Sequence, residues 1–144
     1  MNAQVYHIEF FGEPRPLARP RFRVIHGKGG RVFGQAYDPA SNRADKYDFK
    51  LQALATKPPE PLTGALRVEM TFVRSFPASM SQKKRQTALP VTRPDLDNYE
   101  KLVLDALNRV FWRDDAQVVE VHKRKIYGTI PGIRVTVTPL EVSP

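Results

Sequence analysis

Between residues 65 and 138 the spacing of apolar side chains changes twice, and those changes narrow the folds open to this chain. Leu66, Val68, Met70 and Phe72 alternate with Arg67, Glu69 and Thr71, the pattern of a strand with one buried face. From about Asp97 to Val110 the apolar residues are Tyr99, Leu102, Val103, Ala106, Leu107 and Val110, which is helical spacing with one buried stripe. Residues 117–127 (QVVEVHKRKIY) and 132–138 (GIRVTVT) read as strands again, joined through Gly128 and Pro131-Gly132. Upstream, residues 4–11 (QVYHIEFF) read as a strand. Ala40, Ala44, Tyr47, Leu51 and Leu54 mark an amphipathic helix from Pro39 to about Thr56, stopped by KPPEP. Strands interleaved with two main helices in 144 residues predict a single domain, 1–144, of the α/β or α+β class with a small mixed sheet.

Charge is distributed unevenly along the chain. Lys and Arg number 23 against 15 Asp and Glu, giving a formal net charge of +8 and a pI near 10.0. Residues 94–120 run the other way. There Asp95, Asp97, Glu100, Asp105, Asp114, Asp115 and Glu120 face three bases, Lys101, Arg109 and Arg113, so the window is net −4 and the remainder +12. A carboxylate cluster in a cationic body suits a protein that attracts a polyanion and holds hard cations against it, as nucleic-acid phosphodiester chemistry requires.

Ahead of the acidic window, two long basic stretches contain no acid. The first, between Glu13 and Asp38, holds Arg15, Arg19, Arg21, Arg23, Lys28 and Arg31. Within it, residues 22–26 and 31–33 flank the glycine-rich HGKGG as a hairpin or basic loop. The second, between Arg74 and Arg93, holds Lys83, Lys84 and Arg85. These bases, with Arg93, are the candidate grips on DNA phosphates. The competing account is ordinary solvated surface.

The absence of cysteine excludes disulfides, zinc–thiolate sites and thiol nucleophiles. His7, His26 and His122 are far apart and form no metal-binding pattern. The N-terminal residues lack the basic and apolar regions of a secretory signal, and no apolar run approaches the roughly 20 residues of a membrane helix. The expectation is a soluble, cytoplasmic protein without a membrane partner.

The acidic window has its own chemistry. Pro94 disfavours helical geometry at Arg93, so the chain enters extended and Asp95 and Asp97 project on one face. Paired carboxylates call for a shared proton or a bound cation, and the oxygen donors point to Mg²⁺ or Mn²⁺. Helix capping competes. Asp97 stands where an N-cap belongs, and Asp97-x-x-Glu100 imitates a capping box worth about 1 kcal/mol. Capping accounts for neither Asp95 nor the Asp114-Asp115 pair. Asp97, Lys101 and Asp105, at steps of four, form a polar ridge opposite the apolar stripe. Lys101 either makes an ordinary ion contact there or reaches back to stabilise charge on a phosphate. Asp114 and Asp115 open the next strand, where neighbours face opposite ways, so one of the two joins the site.

Taken together, RPDLDNYEKLVLDALNRVFWRDDAQVVEV resembles the RusA family of Holliday-junction resolvases, small endodeoxyribonucleases often carried by phages and prophages. The family pattern is D-x-D-N, a lysine one turn on, D-A-L, and D-D-x-Q before a strand. Here those positions are Asp95, Asp97, Asn98, Lys101, Asp105-Ala106-Leu107 and Asp114-Asp115-Ala116-Gln117. The close likeness covers about 30 of the 144 residues, with weaker likeness at the N-terminal strand and the C-terminal strands. The resemblance implies that Asp95, Asp97 and Asp115 bind the metal, with Asp114 a further candidate, and that Lys101 is the essential lysine. It further implies a homodimer that binds a four-way junction and makes paired symmetric nicks with Mg²⁺, for which Mn²⁺ can substitute. The lysine-rich stretch 81–87 has no match in that pattern. The alternatives are a non-catalytic DNA-binding module of the same fold and a nuclease acting on forks, flaps or RNA. The intact Asp95, Asp97, Asp115 and Lys101 set argues against the first.

Overall fold

The computed structural model describes residues 4–15, 21–37 and 48–140. In chain order these form β1 (Tyr6–Phe11), β2 (Arg21–His26), β3 (Val32–Tyr37), α1 (helical over the described residues 48–54), β4 (Leu66–Ser75), α2 (Gln82–Arg85), α3 (Leu96–Leu107), β5 (Val118–Gly128) and β6 (Gly132–Pro139). β1, β6, β4 and β5 make a four-stranded sheet in that order, while β2 and β3 form a separate antiparallel hairpin. β4 pairs in parallel with β5 and antiparallel with β6, so the sheet is mixed, as expected. β4, α3 and β5 together form a strand–helix–strand crossover.

β5 and β6 flank β4, so the chain passes from one to the other across the end of β4 in residues 129–131. Two glycines permit this crossing. A Cβ at Gly128 would lie 2.5 Å from Cγ1 of Val73, and one at Gly132 would lie 2.3 Å from the carbonyl oxygen of Phe10.

One face of the sheet carries the core. Leu66, Val68, Met70 and Phe72 of β4 join Ile8 and Phe10 of β1 and Ile133, Val135 and Val137 of β6. α3 covers them with Tyr99, Leu102, Val103, Ala106 and Leu107. Each large apolar side chain buried there contributes roughly 1.5–3 kcal/mol. Ring stacking adds directionality, with Phe72 on Tyr99 at 4.8 Å between centroids and Tyr6 edge-on to Phe111 at 6.1 Å.

Four details depart from the pattern of the sequence. α3 begins at Leu96 with Asp95 as its N-cap, so Asp97 lies inside the first turn and is no capping residue. α3 ends at Leu107 because Asn108 leaves helical geometry and Arg109 turns left-handed at φ 67°. The amides of Val110 and Phe111 then fold back onto the Leu107 carbonyl, so Val110 packs from a turn. Asp114 and Asp115 do not open β5. They start a 3-10 turn, Asp115–Gln117, that precedes it. In α1, Phe49 and Ala53 are buried while Leu51 and Leu54 are 49% and 46% exposed, so the helix turns a different face inward. Residues 39–47 of that expected helix lie outside the described residues.

Candidate active site

α3 and β5 run side by side in opposite directions and carry the acidic motif between them. Lys123 of β5 pairs with Glu100 in the middle of α3. Further along β5, the Lys125 ammonium donates to the carbonyls of Thr92 at 2.8 Å and Pro94 at 3.0 Å. From β4, Arg74 Nη1 donates to Oγ1 of Thr92 at 3.2 Å. Two cations from adjacent strands thus tether the segment that delivers Asp95. The Thr92 and Pro94 carbonyls flank Arg93, whose side chain is exposed.

Asp95 and Asp97 stand exposed at the N-terminal end of α3. The helix dipole favours negative charge there. An N-cap aspartate ordinarily accepts a bond from an amide of the first turn, yet the Asp95 side chain makes none. Lys101, one turn beyond Asp97, is exposed on the same ridge, opposite the buried stripe. Asp105 continues it at the other end of the helix, about 12 Å along the axis from Asp97.

At that far end the chain builds a support for Asp115. Gln117 accepts from the amides of Arg113 and Asp114, each at 2.9 Å, and donates to the carbonyls of Leu62 at 2.9 Å and Gly64 at 3.1 Å. Asp114 Oδ1 accepts from the amide of Ala116 at 3.0 Å, which completes a capping box with Gln117. The indole N–H of the buried Trp112 donates to Asp115 Oδ1 at 2.7 Å. Burial pushes the Asp115 carboxyl above its ordinary range. The Trp112 hydrogen bond opposes that rise, and the charges of Asp105 and Asp114 add to it.

Of the predicted acids, Asp95 and Asp97 share one end of α3, and Asp115 is coupled to Asp105 and Asp114 at the other. Among the described residues no three Asp, Glu or His side chains gather at ligating distance. The residues fit a divalent cation in donor type rather than as a preassembled cage. Asp95 and Asp97 offer exposed carboxylate oxygens, and the crowding of like charge at Asp115 is what a hard cation relieves. Asp114 has a clear structural task in its capping box.

The predicted basic residues divide similarly. Arg15, Arg23, Lys28, Arg31, Lys83, Lys84 and Arg93 are exposed. Arg85 is half-buried, donates to the carbonyl of Met80 at 3.1 Å and lies over the Phe76 ring at 5.2 Å, so it braces its own loop. Arg19 and the Arg21 side chain lie outside the described residues. The sequence reading missed Trp112, Gln117 and Lys125 as supports. Asp114-x-x-Gln117 carries the capping-box signature and was legible, whereas the Trp112 and Lys125 contacts are tertiary. No helix among the described residues is long and apolar enough to cross a membrane.

Comparison with known proteins gives this arrangement a context. The chain is 34% identical over 134 residues to the protein YqaN of Bacillus subtilis (strain 168), covering 88% of this chain and 91% of the relative. It is 27% identical over 134 residues to a crossover junction endodeoxyribonuclease rusA of Lactococcus phage r1t, covering 92% of this chain and 97% of the relative. The family described as Endodeoxyribonuclease RusA matches residues 12–138, spanning β2 to β5 whole and nearly all of β6. The chain therefore belongs to the RusA endodeoxyribonuclease family.

Proposed function

We propose that this protein is a Mg²⁺-dependent endodeoxyribonuclease that resolves four-way DNA junctions by paired symmetric nicks, working as a homodimer. Asp95 and Asp97, at the start of α3, and Asp115, beyond its other end, would hold divalent cations at two positions, and Mn²⁺ would substitute. The observation that carries this reading is Asp95, an N-cap aspartate that does no capping and stands exposed at the same end of α3 as Asp97. Family membership and the phage relative's name support the substrate class, and that relative also supports a phage or prophage origin.

When bound, the ion supplies Lewis-acid charge for phosphodiester hydrolysis. The chain's own residues supply position and counter-charge. Lys125 and Arg74 hold the 92–94 segment, so Asp95 is presented on a tethered backbone. Lys101, on the exposed ridge, neutralises charge that develops on the phosphate. The +12 surplus outside the acidic window draws the DNA arms in, with Arg93 closest in sequence to the carboxylates. A four-way junction has approximate two-fold symmetry, so two like nicks require two sites related by a two-fold axis.

The test is a cleavage assay on matched four-way, forked, flap and linear DNAs in Mg²⁺ and in EDTA, with light scattering of the protein. Paired nicks confined to the junction, lost in EDTA, from a dimer are expected. A monomer that nicks linear duplex as fast as a junction would overturn the resolvase assignment.

A further inference from the structure

The β2–β3 hairpin presents an exposed aromatic ring on the same face as two guanidinium groups. Its register pairs Arg23 with Gln35 and Ile25 with Phe33, so alternation sets Arg23, Ile25, Phe33 and Gln35 on one face. Arg31, two residues before Phe33, shares that face. A Cβ built at Gly27 would lie 3.2 Å from Cε1 of Phe33 and 3.7 Å from Cβ of Arg31, so the glycine makes room for the ring at the turn. Arg23 Nε donates to Gln35 Oε1 at 2.9 Å, which fixes its head group along the same face. Phe33 is nonetheless 52% exposed.

We propose that Phe33 is a stacking platform for an unpaired nucleobase at a DNA branch, with Arg23 and Arg31 gripping the phosphates on either side of that base. The proposal rests on the nuclease reading for DNA as the ligand and adds a site to it. In a continuous duplex the base faces are covered by their neighbours, whereas a bulge leaves a base unpaired and a branch point exposes its central pairs once the arms unstack. A ring offered between cations fits the second kind of DNA, because it meets both the base face and the flanking charge. A subunit contact would also bury a phenyl ring. The lack of any acid between Glu13 and Asp38 favours a polyanion instead.

The experiment places 2-aminopurine at the branch of a four-way junction, at a single-base bulge and inside a matched duplex, and titrates each with the full chain in Ca²⁺. Wild type is expected to change the emission of the junction and the bulge but not of the duplex. Phe33→Ala should abolish that change and weaken junction binding roughly ten-fold, the order of one base–aromatic stack, with duplex binding unchanged. Phe33→Trp should retain both. An alanine variant with wild-type emission change and junction affinity overturns the proposal and leaves the nuclease reading intact. So does one whose only defect is a dimer falling to monomers in light scattering. If wild type fails to cut junctions but Phe33→Ala still abolishes the response on the bulge, the resolvase assignment fails and the stacking site stands.

Discussion

Trp112 and Asp115 are joined by a 2.7 Å hydrogen bond from indole Nε1 to carboxylate Oδ1. Trp112 is fully buried and is the only tryptophan in the chain. The bond ties a carboxylate of the proposed metal site to the hydrophobic core, so the position of Asp115 is set by packing as well as by its own turn.

That tie predicts a specific defect. Trp112→Phe should lower Mn²⁺ affinity about ten- to a hundred-fold, the range for losing a group that orients a ligand. Phe111→Leu, which shrinks the same cluster and spares the bond, should leave affinity near wild type. In wild type, Mn²⁺ should quench the fluorescence of Trp112, and Asp115→Asn should remove the quenching. Equal affinity in Trp112→Phe and wild type would show that the bond is structural only.

Asp95→Asn and Asp97→Asn should each reduce junction cleavage on the order of a hundred-fold or more, since metal charge stabilisation is worth several kcal/mol. Circular dichroism and junction affinity in Ca²⁺ should be unchanged. Because Asp97 caps nothing, Asp97→Asn costs α3 only the first-turn dipole contribution of about 0.3–1 kcal/mol, too little to explain such a loss. Normal cutting by both variants would remove the pair from the mechanism.

Stability should respond to pH through Asp115. Its carboxyl is held above the ordinary value of 3.8, chiefly by burial, so the folded state binds the proton more tightly than the unfolded chain. That contribution favours folding below 3.8 and is lost as pH rises through the raised value. At neutral pH Asp115→Asn should therefore leave the Tm of the metal-free protein unchanged or higher, while abolishing cleavage. A Tm of Asp115→Asn clearly below that of wild type at neutral pH would contradict the burial account.

Lys125→Met removes the charged donor that holds Thr92 and Pro94 and should lower kcat roughly ten-fold or more, in line with about 1.5–3 kcal/mol for hydrogen bonds to a charged group. KM for the junction should change little, because Lys125 faces the protein's own backbone. Lys125→Arg should restore part of the rate. A variant defective mainly in KM would assign Lys125 to DNA contact instead.

The parts of the fold visible in the sequence are those with a strong local period. β4 alternates because one of its faces is covered and the other is open, and α3 repeats because one stripe packs on that sheet. Sheet order was not visible, since nothing local reveals that β5 and β6 lie on opposite sides of β4. The end of α3 was missed because Val110 and Phe111 stay apolar and packed after the helix has stopped. The site divides the same way. Asp95, Asp97 and Lys101 declare themselves by spacing, whereas the Trp112 bond to Asp115 and the Lys125 tether depend on tertiary packing.

β5 occupies the rim of the sheet, pairing only with β4 among the described residues along its eleven residues. An unpaired strand of that length is a template for adding foreign strands, and charge is the usual guard against it. Lys123, Arg124 and Lys125 stand consecutively in its middle. Part of the chain's basic surplus therefore stands where an open strand edge calls for charge, independently of any nucleic acid. Neutralising Arg124 would weaken that guard, whereas neutralising Lys123 or Lys125 would also release their contacts to Glu100 and to the 92–94 backbone.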